Sequence, residues 1–563
     1  MTARDGLSFN IFIKSYDIRE GLKARGFKDI PKSAVTIRNM VLEYSKIIKQ
    51  STVHEISRLK SEGKRFSITF DEWTSIRNRR YININVHSVG GTMWNIGLVR
   101  AYGSVPAEKC LSLVEEKLKD FNLDISKDIV GVTTDGASVM VKLGKIIEAE
   151  HQQCMAHCIN LAITDVLYKS TLNPSVDIDV VEQNYNDDDV NDVDDDDDNN
   201  DDDIDEEDGY GIIIELDASI TTSNINIRHT GISSLVSKIR KVVKTFKNSP
   251  SKNDKYLQKY VREQLGKETA LKLDCQTRWN SMLFMLEKFE EIKFCIQKAL
   301  IDISSDIHFS DEEFNLLSSI IAALTPVKLT VDALCRKDAN LLTADASLTF
   351  MLDTLSQQKS AIALELLEAL KSRILLRRTE LSQILQYLQK GSQDVGEVFK
   401  RISKFTIIKK IVSLTKRLTH ENLEDTEDME VVQETSLPIS SQISNETVLE
   451  SDKVNVNALK KKLQAAIDET LNTSPVPAFK KIPGLEQKIK DEITFFEKTG
   501  TKGTYLQNVY DFLMTIVPTS VESERAFSAA GYICTKIRSS LDDETIDCLC
   551  FLRAYFNKQN ASY

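Results

Sequence analysis

The chain has 563 residues, of which 41% are hydrophobic, with nine cysteines and a formal net charge of −12. This length and composition favour a globular protein of several domains and exclude a small disulfide-bonded scaffold, because an odd number of scattered cysteines suits reduced thiols. No uninterrupted apolar run reaches the roughly 18 residues of a membrane helix, so we expect no membrane partner and a cytoplasmic or nuclear location.

The first third of the chain predicts a mixed α/β sheet. Apolar residues at helical spacing predict one or two helices over residues 31–61. In KRFSITFDEWTS and RRYININVHSV, apolar and polar residues alternate, which predicts two strands with one buried face each. The elements predicted next are a third strand in MWNIGLVRAYG, a helix in AEKCLSLVEEKLKDF, a buried strand in DIVGVTTDGAS, a helix over residues 138–150, and a strand that runs into a helix in HQQCMAHCINLAITDVLYKS.

Charge is unevenly distributed after these elements. Residues 187–208 include 16 acidic and no basic residues, so the rest of the chain is slightly basic. A run this acidic repels itself and predicts a disordered, solvated loop. Residues 228–278 instead contain 13 Lys or Arg against four acids, which fits either a solvated helix face or a surface that binds phosphates. The candidate DNA-binding residues of this segment are Lys238, Arg240, Lys241 and Lys244.

The remaining sequence predicts helices as far as the end of the chain, with a polar linker at about residues 421–451. TYLQNVYDFLMTIVP, VPTSVESERAFSAAG and LDDETIDCLCFLRAYF predict three closing helices. The last one is apolar on all sides in DCLCFLRAYF, so it is expected to be buried in its own core or against a partner chain. Leu549 and Phe551 lie in this run and are the candidate dimerisation residues if a partner chain covers it.

Three acidic residues are candidates for one site. Asp71 and Asp135 lie at the ends of predicted strands, and Glu524 lies in a predicted helix. Carboxylates are ligands that Mg²⁺ and Mn²⁺ prefer, and a pair of such ions can assist the displacement at a phosphodiester. Each residue also has an ordinary structural interpretation, since strand-end aspartates cap helices and helical glutamates face water.

Five segments, in order along the chain, carry a family resemblance: TFDEWTS, GVTTDGASVM, CMAHCINL, LDCQTRWNSM and VPTSVESERAFSAAG. With this set, the chain resembles the hAT superfamily of DNA transposases over most of its length. The resemblance implies an α/β fold, in which a ribonuclease H-like mixed sheet is interrupted by a large all-helical insertion domain. It also implies that Asp71, Asp135 and Glu524 are the catalytic, metal-binding triad, with Glu524 folded back over the sheet.

The resemblance assigns three further residues to DNA. His157 of CMAHC is expected near the active site, where it would orient a phosphate, although a packed core histidine fits as well. A zinc site through Cys154, His157 and Cys158 lacks a second ligand pair at finger spacing. Trp279 is expected to stack on a flipped base and Arg278 to bind phosphate, whereas the competing interpretation of Trp279 is an aromatic residue in a helical core.

We predict five segments along the chain. They are an N-terminal helical dimerisation or DNA-binding segment at residues 1–64, the first part of the ribonuclease H-like core at 65–170, the acidic disordered loop at 171–227, the helical insertion domain at 228–503, and the last part of the core with the C-terminal dimerisation region at 504–563.

The function implied by the resemblance is metal-dependent cleavage and strand transfer of double-stranded DNA. The protein would act in the nucleus as a homodimer or higher oligomer, with Mg²⁺ or Mn²⁺ as cofactor. Family members commonly begin with a BED zinc finger, and no Cys-Cys/His-His set precedes Pro31, which suggests a truncated element copy or a host protein derived from one. The alternative function is a domesticated, non-catalytic, dimerising DNA- or chromatin-binding protein. A protein-binding scaffold would differ from both by having no affinity for DNA.

Overall fold

The computed structural model describes most of the chain. It covers residues 1–27, 29–75, 78–167, 230–275, 279–391, 401–419, 484–533 and 541–560. The predicted acidic loop at 171–227 and the predicted linker at 421–451 lie outside the described residues.

A five-stranded mixed sheet forms the centre of the molecule. The strands are β1 Phe66–Thr74, β2 Arg80–His87, β3 Met93–Ala101, β4 Ile129–Thr134 and β5 Glu150–Gln153. They lie in the order β3-β2-β1-β4-β5, with β1, β2 and β3 antiparallel and β4 parallel to both β1 and β5. This topology confirms the predicted α/β class and the predicted strands.

The helices described in the first third of the chain are α1 Ile11–Lys14, α2 Tyr16–Ala24, α3 Ala34–Ser61, α4 Ala107–Lys119, α5 Ser138–Ile146 and α6 Met155–Leu167. Of these, α3, α4 and α5 contribute buried side chains to the cluster on the apolar face of the sheet. Alternation in β1 points Phe66, Ile68 and Phe70 to this face, where they are fully buried in one cluster with Ile56 of α3 and Val114 of α4. The predicted helix over residues 31–61 is therefore a single long helix.

The predicted insertion is helical throughout its described part. Its first helices are α7 Thr230–Lys247, α8 Pro250–Lys252, a π-helical segment Asn253–Leu257, α9 Gln258–Leu265, α10 Trp279–Glu291, α11 Lys293–Asp302, α12 Asp311–Leu334, α13 Leu341–Ser356 and α14 Ala361–Arg377. They share one hydrophobic cluster with α6. Because α6 follows the last strand directly, this cluster joins the insertion to the sheet.

Helix α12 has the length and hydropathy of a membrane span, contrary to the expectation that no such run exists. It is the one such helix among the described residues, and 44% of its most apolar window is buried inside the protein. Leu317, Ile320 and Leu324 are fully buried in the helical cluster. These residues thus pack one side of α12 into the helical cluster, and a helix with such a buried side can pass a test of length and composition.

The second face of the sheet is covered partly by the end of the insertion. Helices α15 Glu380–Lys390, α16 Lys404–Leu418, α17 Leu485–Thr499 and α18 Thr504–Leu513 form a third cluster, which includes Val130 of β4. The Arg417 guanidinium donates to the carbonyl oxygens of Ile129 at 2.6 Å and Val130 at 2.9 Å. The last part of the predicted insertion thus packs on the sheet.

The chain ends in α19 Val521–Ile533 and α20 Asp543–Asn560, as predicted. Leu549 is 0% and Phe551 2% exposed, and both belong to the cluster around the sheet. The Phe551 ring lies 6.4 Å from that of Phe121, which follows α4. The structure thus places both side chains in the core of their own chain, and a role for them between subunits stays a prediction. The all-round apolar pattern arises because α20 is enclosed by its own chain, chiefly by β3, α19 and α3.

Candidate active site

The predicted triad is carried by three separate elements. Asp71 lies in β1 and Asp135 directly follows β4, and these strands are parallel neighbours, so their carboxyl ends meet at one edge of the sheet. Glu524 lies in the first turn of α19, which packs against β1 and β2. Asp135 and Glu524 are both half-buried.

The electrostatics of Asp71 show that these carboxylates act on one another. Burial raises the pKa of the Asp71 carboxyl well above its usual range, and the negative charges of Asp135 and Glu524 raise the pKa further. The Glu72 backbone N–H donates to Asp71 Oδ1 at 2.7 Å and opposes this effect. Asp71 therefore favours the protonated form more than an ordinary aspartate does.

The donor set fits a hard divalent cation. Three carboxylates supply only oxygen ligands, and a cation would relieve the repulsion that raises the pKa of Asp71. In the described part of the chain, however, no group of three or more His, Cys, Asp or Glu side chains is close enough together to hold a metal ion. Asp135 and Glu524 thus affect Asp71 electrostatically, but the three carboxylates are not close enough together in this structure to bind one metal ion jointly.

A buried polar network underlies α19 on the second face of the sheet. Asn85 donates through Nδ2 to Ser523 Oγ at 3.1 Å and to Asn83 Oδ1 at 3.0 Å. Asn95 donates to the side-chain oxygens of Asn83 at 3.0 Å and Asn85 at 2.7 Å. All four side chains are buried. Because Ser523 directly precedes Glu524, this network fixes the helix that carries the predicted third carboxylate.

The alternation in β2 did not reveal this network, because it predicted one buried face and so a solvated position for the polar residues. Both faces of β2 are buried, which corrects the prediction of one buried face. Buried amides need partners, and here they find them in one another and in α19. The sequence feature that could have indicated this network is the pair Asn83 and Asn85, whose spacing of two residues places both on one face of the strand.

Backbone contacts fix the approach to α19. Thr133 Oγ1 donates to the carbonyl oxygen of Val517 at 2.7 Å, and the Met155 N–H donates to that of Pro518 at 2.9 Å. Further along, the rings of Trp73 and Phe527 stack with centroids 6.0 Å apart. The segment from residue 515 to 527 is therefore held by β1, β4 and the start of α6.

His157 lies beside the predicted triad. A Cβ atom built on Gly136, the residue after Asp135, would lie 3.5 Å from His157 Cδ2. The neighbouring thiols are buried, and burial raises the pKa of Cys154 to about 11 and also raises that of Cys158. The Ser520 N–H donates to Cys154 Sγ at 3.4 Å, so this thiol contacts the start of α19.

The structure gives Trp279 a core position. Its side chain is 0% exposed at the start of α10, within the helical cluster, and its indole Nε1 has no hydrogen-bond partner in the described part of the protein. In this arrangement the ring is not accessible to a base, so stacking would require Trp279 to leave the core. Arg278 lies outside the described residues.

The four predicted DNA-binding residues of α7 fall into two pairs. Lys238 binds Glu313 at 2.7 Å, and Arg240 binds the buried Asp274 with contacts of 2.5 to 3.0 Å, so both are neutralised within the fold. Lys241 and Lys244 are exposed. Lys247 continues the same exposed helix face, so this lysine face is the part of α7 that can bind phosphates.

Comparisons with known proteins identify two regions and one relative. Residues 225–323 match the ZBED1 RNase-like helical domain, and residues 485–556 match the hAT family C-terminal dimerisation region. A protein of Talaromyces stipitatus named "Putative transcriptional regulator tpeD" is 22% identical over 312 residues, which cover 52% of this chain and 32% of that protein. The chain thus spans about a third of the length of this relative.

Proposed function

Because the chain is an hAT-family transposase-like protein, we propose that it cleaves double-stranded DNA and transfers the cut strand at the site of Asp71, Asp135 and Glu524. The observation that carries this proposal is the effect of Asp135 and Glu524 on the pKa of Asp71, although nearly 400 residues separate Asp135 from Glu524 in the sequence. Perturbed carboxylates gathered at a strand edge are typical of functional sites.

Each protein group would have a distinct role. Asp71, Asp135 and Glu524 would hold Mg²⁺ or Mn²⁺, which when bound activates a nucleophilic oxygen and stabilises the leaving oxygen of the phosphodiester. Asp71 must lose its proton to act as a ligand, because only the carboxylate form binds metal well. The Asn83–Asn85–Ser523 network would hold Glu524 in register with the sheet, and His157 would orient a phosphate at the same edge.

The exposed lysine face of α7 would bind the DNA backbone away from the cut. Lys241, Lys244 and Lys247 lie on a helix whose other cations are paired within the fold, so these three are available to phosphates. Such contacts position DNA without reading its sequence. We further propose a nuclear protein that assembles as a dimer or higher oligomer, in keeping with the C-terminal dimerisation region.

A second candidate function is that of a non-catalytic DNA-binding regulator. The name of the Talaromyces stipitatus relative favours it, as does the absence of a closed set of metal ligands among the described residues. Such a protein would bind DNA through the same lysine face, and neutralising the triad would leave its activity unchanged.

A nicking assay on supercoiled duplex DNA separates the two candidates. The wild-type protein is expected to nick with Mn²⁺ and to stop on chelation with EDTA, and Asp71→Asn is expected to lose at least about a hundredfold in rate, because a metal ligand is removed. Asp120→Asn, at an exposed aspartate of the same domain, is the control and should nick like the wild type. DNA binding without nicking by the wild-type protein would establish the regulator.

A further inference from the structure

Helix α14 ends in a cluster of three arginines, two of which have carboxylate partners. Arg373 binds Asp165 at 2.6 Å, and Arg378 binds Asp345 at 2.5 Å. Arg377 forms no ion pair in the described part of the chain, and its Nη1 is buried without a hydrogen-bond partner there. A buried N–H that lacks an acceptor is destabilising, so this arrangement calls for a ligand.

The unpaired guanidinium lies at the predicted active site. A Cβ atom on Gly136, directly after Asp135, would lie 2.9 Å from Arg377 Nη2 and 3.5 Å from His157 Cδ2. Gly136 therefore leaves just enough room for the guanidinium to lie against the backbone beside Asp135. The Arg377 side chain and the His157 ring thus both lie beside the backbone that directly follows Asp135.

Neighbouring contacts fix the orientation of Arg377. Its Nε donates to Gln153 Oε1 of β5 at 2.8 Å, and its side chain also contacts the Cys158 thiol of α6. Neither partner carries a negative charge that would neutralise the guanidinium, since burial raises the pKa of Cys158 and keeps the thiol protonated. Nε is thus held in place, while Nη1 has no acceptor in the described part of the protein.

We infer that Arg377 binds a phosphodiester oxygen of the DNA strand that is cut at this site. The inference rests on the proposed function, which supplies the DNA. A planar guanidinium suits this role because it can donate two parallel hydrogen bonds to a phosphate. Since Arg377 belongs to the helical insertion and Asp135 to the sheet, the phosphate would be held between the two parts of the protein. Arg377 is a substrate-positioning residue, distinct from the carboxylates.

The experiment measures duplex DNA binding by fluorescence anisotropy across a range of salt concentrations, in EDTA so that no cleavage occurs. Arg377→Gln is expected to weaken binding about tenfold to a hundredfold, as for the removal of a hydrogen bond between charged groups. It should also reduce the salt slope by about 0.9, the value for one phosphate contact. Arg377→Lys should keep the slope, because it keeps the charge.

Thermal unfolding separates this role from a structural one. Arg377→Gln should lower the unfolding temperature less than the loss of an ion pair does, because it removes an unpartnered N–H and contacts to the neutral Gln153 and Cys158 side chains. The matched control Arg373→Gln, one turn earlier on α14, should unfold at a lower temperature and keep the wild-type salt slope, since it breaks the pair with Asp165. Gly136→Ala, which displaces the guanidinium, should weaken binding in the same direction as Arg377→Gln.

Each outcome bears on one proposal. An unchanged salt slope in Arg377→Gln, with a wild-type protein that binds DNA, would overturn the role of Arg377 alone. A fall in unfolding temperature as large as that of Arg373→Gln, without a change in slope, would make Arg377 a structural residue. If the wild-type protein shows no affinity for duplex DNA, the proposed function fails, and the inference about Arg377 fails with it.

Discussion

Asp71 combines burial with two negative neighbours, and this combination gives a pH dependence. Its folded-state pKa is raised, so the stability that Asp71 contributes is fully present below its unfolded pKa of about 3.9 and is lost as pH rises through the folded pKa. The metal-free protein near neutral pH thus either keeps Asp71 protonated or tolerates its repulsion with Asp135 and Glu524.

We expect Asp71→Asn to stabilise the metal-free protein near neutral pH. The amide removes the buried charge while keeping an oxygen that can accept from the Glu72 N–H. The gain in unfolding temperature should shrink to nothing at about pH 4, where the wild-type carboxyl is protonated. Thermal unfolding in EDTA at both pH values measures it, with Asp120→Asn as a control that should show no such trend. A destabilised Asp71→Asn near neutral pH would contradict the electrostatic account.

At the scale of single residues, the sequence predicted some residues of the candidate site and gave no indication of others. The triad could be proposed from strand ends and a family resemblance, and the structure brings Asp71, Asp135 and Glu524 within electrostatic reach of one another. The burial of Trp279 was an open alternative, since a tryptophan in a helix serves a core as readily as a binding surface. Arg377 carried no signal, because its lack of a carboxylate partner appears only when Arg373 and Arg378 are seen to have theirs.

At the scale of elements, α7 carries two kinds of cationic side chain, those paired with carboxylates of the fold and those exposed to solvent. Lys238 contacts Glu313 and lies 4.6 Å from the centre of the Phe309 ring, whereas Lys241, Lys244 and Lys247 are exposed. The capping box of α12, in which Ser310 and Glu313 bond each other's backbone, holds the Glu313 carboxylate in place for Lys238.

Neutralising the lysine face should therefore weaken DNA binding without harming the fold. Replacing Lys241, Lys244 and Lys247 together by Gln should lower the salt slope by up to about 3, which is roughly 0.9 for each phosphate that is no longer neutralised. The unfolding temperature should stay close to that of the wild type. Lys238→Gln is the matched comparison on the same helix, and it should lower the unfolding temperature because Glu313 loses its partner. An unchanged slope in the triple variant would identify a purely solvated face.

Most elements of the sheet followed from periodicity, and the exceptions have physical reasons. Alternation located β1 and β2 correctly, because a strand exposes successive residues to opposite faces. Alternation does not report what covers the polar face. Here α19 and a set of mutually bonded asparagines bury it, through contacts that span most of the chain.

At the scale of the whole molecule, α20 is an internal element. Leu549 is fully buried in the cluster around the sheet, so removing its side chain should leave a cavity. Leu549→Ala should lower the free energy of unfolding by about 2 to 5 kcal/mol, while any dimer of the folded protein persists.

Chemical denaturation and light scattering together test this position. Ile301→Ala, at a side chain that is 70% exposed, is the control and should change the free energy of unfolding by less than about 0.5 kcal/mol. If the wild type is a dimer and Leu549→Ala is a folded monomer of unchanged stability, Leu549 lies instead at a subunit interface.

The placement of the insertion's last helices depends on contacts that periodicity does not report. The helical character of the insertion was predicted, yet α16 packs on β4 together with α18, and α15 and α17 pack on these two helices. Their amphipathic patterns show that each has an apolar face and do not show which surface that face covers. Arg417, whose guanidinium bonds two carbonyl groups of β4, had no sequence signal for this role.

The asparagine network has a consequence for synthesis of the chain. Asn85 and Ser523 are 438 residues apart, so a ribosome adding about 5 to 20 residues per second needs about 20 to 90 s to pass from one to the other. Throughout that interval one face of the newly made sheet has no α19 to cover it. An apolar face left open so long would favour aggregation, whereas side-chain amides stay hydrated. Because this face is polar, it can stay hydrated in the newly made sheet until the last helices of the chain are synthesised.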